Sequence, residues 1–157
     1  MAKWEIVNQV NKLRRAQASY PPAHVQGGRQ KNLALILARQ FAGTLAMPMF
    51  VVDADGRLVY YNEPAEQLTG RTFAEMGEIS AKEWTSLLKP ETLDGKPYEF
   101  EARPTGIAFI ERRPAHDTFR ITGFDGRQRV ISATTLPMFA REDEFLGIVA
   151  IFWEQPA

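Results

Sequence analysis

Cysteine is absent from all 157 residues. That excludes disulfides, thiolate metal sites, iron–sulfur clusters, cysteine nucleophiles and thioether-linked cofactors. Histidine is nearly as scarce: His24 and His116 are the only two, and their wide separation leaves no His-based metal motif. No apolar run approaches the roughly 20 residues of a bilayer-spanning helix. The opening residues, Met1-Ala2-Lys3-Trp4-Glu5, lack the apolar stretch of a signal peptide. The expectation is a soluble, cytoplasmic protein. Catalytic signatures are missing too: there is no Gly-x-x-x-x-Gly-Lys phosphate loop, Gly-x-Gly-x-x-Gly turn, Gly-x-Ser-x-Gly elbow or His-Glu-x-x-His helix. The chain reads as a binding protein, not an enzyme.

What is present is an ordinary globular balance, 45% hydrophobic and 24% charged, so wholesale disorder is excluded. A single domain of this length buries roughly 70% of its unfolded surface. Charge is zero overall but lopsided. Residues 1–45 hold seven Lys/Arg and one acid, net +6, and residues 46–157 hold twelve Lys/Arg and eighteen acids, net −6. Such asymmetry suggests separate roles, and a basic arm can attract nucleic acid or an acidic partner. The seven basic residues of the arm are spread out along it, which favours a solvated helix face over a nucleic-acid surface.

Periodicity divides the chain into a helical part and an extended part. Ile6, Val10 and Leu13 predict a first amphipathic helix over about 3–17. The turn-forming stretch within 19–29 reads as a loop. A second helix comes next over about 30–45, with Leu33, Ile36, Leu37, Phe41 and Leu45 on an arc wide enough to be covered on more than one side. From Met49 the period becomes extended. Met49–Asp53 and Arg57–Tyr61 read as a hairpin around Asp53-Ala54-Asp55-Gly56. Asn62 then caps a short helix that Gly70 ends. Ser80 caps a helix carrying Trp84, and Pro104–Arg113 forms another. His116–Thr122, Gln128–Met138 and Phe145–Trp153 read as three closing strands. Strands that flank a helical block in this way suit an antiparallel five-stranded sheet in the α+β class.

Several strings resemble the PAS family of sensory domains. The fullest runs from Phe50-Val51-Val52-Asp53 through Asn62-Glu63-Pro64-Ala65 to Leu68-Thr69-Gly70. It is similar to the family's opening hairpin and Asn-x-x-Ala…Leu-x-Gly helix. Phe124-Asp125-Gly126-Arg127, Thr135-Leu136-Pro137 and Leu146-Gly147-Ile148-Val149-Ala150 resemble its closing strands, and Asp94-Gly95-Lys96-Pro97 a common connection. The resemblance covers about Leu45 to Glu154. It implies a PAS domain over 46–154 behind an N-terminal helical extension over 1–45. Short helices would pack on one sheet face and the N-terminal helices on the other. It also implies a stand-alone signalling protein, a homodimer through the helix of Leu33, Ile36, Leu37 and Phe41, and a separate output protein.

The resemblance bears on cofactors as well. The flavin-photosensing and coumarate-binding branches each require a cysteine, so both chemistries are excluded. The haem branch places a histidine on the last helix before the third strand. Here Pro104–Arg113 has none, His116 lies beyond Pro114, and His24 falls in the loop. A noncovalent small molecule is the remaining class. Alternation puts Val59 and Tyr61 on one sheet face and Leu58 and Tyr60 on the other. The resemblance favours Tyr61 as pocket-facing, and the candidate pocket wall is Val59, Tyr61, Trp84, Phe109, Phe119 and Thr135. These side chains equally suit a filled core. Three readings stay open: a ligand-sensing signal transducer, a dimerisation scaffold with a filled core, and a transcriptional accessory whose basic arm contacts DNA.

Overall fold

Met49-Phe50-Val51-Val52 is unbroken in its apolarity because both faces of this strand are covered. Phe50 and Val52 face one core layer, Met49 and Val51 a second. The structure, a computed structural model, describes residues 23–156. The chain divides into two units between Gln30 and Lys31, and the sheet with its short helices belongs to the second.

Helix α1 spans Ala23–Thr44. Strand β1, Met49–Asp53, turns into β2, Leu58–Tyr61. Three short helices come after it: α2 at Glu63–Thr69, α3 at Phe73–Met76 and α4 at Ala81–Leu87. A single 3-10 turn, Phe100–Ala102, leads into α5 at Pro104–Glu111. Strands β3 (Ala115–Thr122), β4 (Gln128–Phe139) and β5 (Phe145–Glu154) close the chain. All pairings are antiparallel, in the order β2-β1-β5-β4-β3. The α+β architecture expected from the sequence is therefore present.

Local chemistry explains the short helices. Asn62 accepts from the Ala65 N–H at the start of α2, and Gly70 adopts the left-handed conformation that ends it. Thr72 and Ser80 each form a reciprocal capping box, with Glu75 and Glu83, which holds α3 and α4 despite their few residues. The inner layer is built from Ala65, Ala81, Trp84 and Ala108 of the helices against Phe50, Ile121, Ile131 and Ile148 of the strands. On the opposite sheet face, Leu35, Ala38 and Ala42 of α1 pack over Met49, Val51, Val149 and Ile151. The Arg39 guanidinium lies 5.0 Å above the Tyr60 ring on that side.

Two expectations are corrected. Helix α1 begins at Ala23, so residues 23–29 of the expected 19–29 loop are helical. Gly27 and Gly28 weaken a helix by roughly 1 kcal/mol each relative to alanine, but each residue added to a formed helix also gains a hydrogen bond. The second correction concerns Val59. A β-bulge shifts the β1–β2 register so that Val51 faces Tyr60 while Val52 faces Leu58. Val59 is the extra residue, and it joins Tyr60 in the layer under α1, while Leu58 and Tyr61 face the inner layer. The helix expected over 3–17 lies outside the described residues.

Candidate ligand-binding site

Trp84 organises the space between the sheet and the helices. Its place on α4 buries it almost completely, stacked on Tyr61 at 4.9 Å and edge-on to Phe50 at 5.1 Å. Behind it the Tyr61 hydroxyl donates to the Arg71 carbonyl at 2.9 Å. Burial, helped by the nearby Glu66 carboxylate, pushes the Tyr61 phenol up to about 12. The Trp84 indole N–H exerts a weak opposing pull on the same oxygen without reaching hydrogen-bonding geometry.

Beside Trp84 lies a cavity of about 30 Å³, walled by Phe50, Leu88, Phe119, Ile131 and Ala133 and bordered by Arg103 and Thr105. That volume admits one or two water molecules. Arg103 is only 3% exposed. Its guanidinium donates to the Thr85 carbonyl and the Ser86 hydroxyl, both at 3.3 Å, and so satisfies the C-terminal end of α4. Its Nε has no hydrogen-bond partner, and among the described residues no carboxylate forms an ion pair with it. Burial pulls this guanidinium below its usual range, opposed by the fields of Glu101 and Glu99. Tyr98 packs edge-on against Phe119, and its hydroxyl donates to the Asp117 carboxylate. Burial and that carboxylate hold its phenol far above the usual range.

A second, wider groove of about 360 Å³ opens on the other side of Thr105. Phe100, Phe109 and Ile110 form its apolar wall, and Asp55, Ser80, Lys82 and Glu101 its polar rim. Lys82 and Glu101 pair at 3.2 Å. Among the described residues no group of three or more His, Asp or Glu side chains gathers to hold a metal. Nor is any helix among them long and apolar enough to cross a membrane.

The family model for the PAS domain matches residues 46–154. The chain belongs to the PAS family. Solved structures agree with the assignment at the level of fold. The PAS domain of Bordetella pertussis BvgS is 18% identical, with 79% of this chain and 87% of that one covered and a TM-score of 0.51. The PAS domain of the fruit-fly ELK potassium channel is 15% identical, covering 76% and 94%, with a TM-score of 0.60. The LOV domain of the Erythrobacter litoralis EL346 blue-light activated histidine kinase is 15% identical, covering 72% and 99%, with a TM-score of 0.55. Among curated protein sequences none matches.

Within this PAS domain the six candidate wall residues separate. Trp84 and Phe119 line the inner cavity. Tyr61 stands behind Trp84, and Phe109 lines the outer groove instead. Thr135 is fully buried, its hydroxyl without a partner, two strand positions beyond Ala133 and outside the cavity wall. Val59 is on the opposite sheet face, under α1. The residue that sequence reasoning missed is Arg103. A charged residue ordinarily reads as solvent-exposed, and its only local mark is the Pro104 next to it.

Proposed function

We propose that this PAS domain acts by binding rather than by catalysis. It is a sensory module that pairs with a second copy through α1 and passes the state of its interior to that helix. One observation carries the reading: α1 has two apolar faces and the sheet covers only one. Leu35, Ala38 and Ala42 are packed, whereas Leu33, Ile36, Leu37 and Phe41 are each more than half exposed. The exposed set has i, i+3, i+4, i+8 spacing, the stripe of a helix that packs against another helix. Four large apolar side chains side by side exceed the scattered exposure normal for a monomer.

The coupling is a population shift. A ligand that fits one arrangement of α1 on the sheet better than another moves the balance by that difference in affinity. The partner that reads the change is a separate output protein. Sedimentation velocity on the wild type and on Leu37→Glu/Phe41→Glu tests the pairing. A wild-type dimer and a folded monomeric variant are expected. A wild-type monomer at tens of micromolar overturns the reading.

A further inference from the structure

Arg103 is buried without a countercharge. An arginine taken out of water ordinarily keeps a carboxylate beside it, since desolvating an unpaired ion costs several kcal/mol. Here the guanidinium has two neutral acceptors, the Phe100 ring 5.3 Å away and an Nε without a hydrogen-bond partner, and Arg103 is part of the cavity lining. Its position is fixed. The extended backbone of Arg103 precedes Pro104, and at Gly106 a Cβ would fall 1.9 Å from the Phe100 carbonyl oxygen, so α5 is jammed against the 3-10 turn.

Size and lining then restrict the complement. A cavity of about 30 Å³ takes a group of two or three heavy atoms, not a ring. Thr105 borders both this cavity and the groove of about 360 Å³, where Phe100, Phe109 and Ile110 present apolar surface. An anionic head at Arg103 and an apolar body in the groove would occupy both spaces.

We propose that this PAS domain binds an amphipathic monocarboxylate, its carboxylate against the Arg103 guanidinium and its aliphatic body along Phe100, Phe109 and Ile110. The inference rests on the sensory reading above and supplies the chemical class of its ligand. The carboxylate provides the missing countercharge and an acceptor for the Nε–H. The Lys82–Glu101 pair at the groove rim parts or slides to admit the body, since both side chains are mostly exposed.

The test uses the full chain with hexanoate, hexan-1-ol, hexylammonium and acetate at constant ionic strength, read by calorimetric titration and thermal shift. Hexanoate is expected to raise the melting temperature saturably and to bind at least tenfold more tightly than hexan-1-ol or acetate. The Arg103 Nε–H resonance should move on titration with hexanoate. Arg103→Gln should erase the preference for hexanoate over the alcohol, and Arg103→Lys, which keeps the charge, should retain part of it. Equal binding of hexanoate and hexan-1-ol to the wild type overturns the charge assignment while leaving a ligand-binding interior. Binding of none of the four overturns the inference as a whole. The sedimentation experiment on α1 decides the sensory reading separately, and the wild-type comparison stands even if Arg103→Gln fails to fold.

Discussion

The Asn62 side-chain amide donates to the Ala42 carbonyl at 2.9 Å, tying the last turn of α1 to the end of β2. The same amide donates to the Met47 carbonyl at 2.8 Å, and its oxygen accepts from the N–H groups of Met49 and Ala65. One buried side chain thus holds α1, β1 and α2 together, next in sequence to the Tyr61 that stacks on Trp84. It makes a short covalent and hydrogen-bonded connection between the interior and the helix proposed to pair.

Replacing Asn62 should therefore loosen α1 as well as α2. Asn62→Ala removes a helix cap, worth about 1 kcal/mol, and strands buried backbone groups at about 1–3 kcal/mol. The expected loss is about 2–4 kcal/mol in denaturant unfolding. Hydrogen exchange should rise both at Ala65 and across the end of α1. A change confined to α2 would show that the cap alone matters.

Two glycines should respond in opposite ways to alanine. At Gly147 the backbone has φ +137°, and a Cβ would meet the Val52 carbonyl oxygen at 2.0 Å, inside the β1–β5 ladder. Gly147→Ala is expected to cost roughly 3 kcal/mol or more, because the obstruction is backbone and cannot rotate away. Around Gly43, within α1, nothing lies within 4 Å of the added carbon. Gly43→Ala should stabilise the domain by about 0.5–1 kcal/mol. Thermal unfolding of the two variants side by side checks both signs.

Much of this fold is legible in the sequence because its local signals agree with one another. Asn62, Gly70 and Ser80 occupy the capping positions their chemistry favours, and the strand boundaries fall within a residue or two of expectation. The candidate site is less legible, for two physical reasons. A bulge changes side-chain parity without any mark in composition, so simple alternation assigns Val59 to the wrong face. Burial of Arg103 arises from the convergence of α4, the 3-10 turn and α5, three segments whose approach no local pattern encodes.

The bulge makes its own prediction. Val59 packs with the layer beneath α1 and not with the cavity wall. Val59→Ala should cost about 1–2 kcal/mol, less than a fully buried truncation because the residue is only half-buried. Hydrogen exchange should increase in α1 and the turn after it, from Leu35 to Leu45, while the affinity for hexanoate stays unchanged. A weakened affinity with unaltered exchange in α1 would return Val59 to the cavity side.

The Asp125–Arg129 pair sets an acid limit on stability. Arg129 is 7% exposed and donates to both Asp125 oxygens, at 3.1 and 2.7 Å, while the Arg127 N–H donates to the same carboxylate at 3.0 Å. These bonds, the arginine's foremost, hold the Asp125 carboxyl far below its ordinary range. The unfolded chain therefore takes up a proton at this position before the folded one does. The stabilisation is complete above the unfolded value of about 3.9 and is lost as pH falls through that value towards the folded one. Asp125→Asn, which cannot ionise, should lower the melting temperature at pH 7 by an amount that shrinks steadily below pH 4. Melting curves of both proteins from pH 7 to pH 2 measure that difference. A difference that stays constant down to pH 2 would show that Asp125 acts through its turn geometry alone, and that its charge on Arg129 contributes nothing.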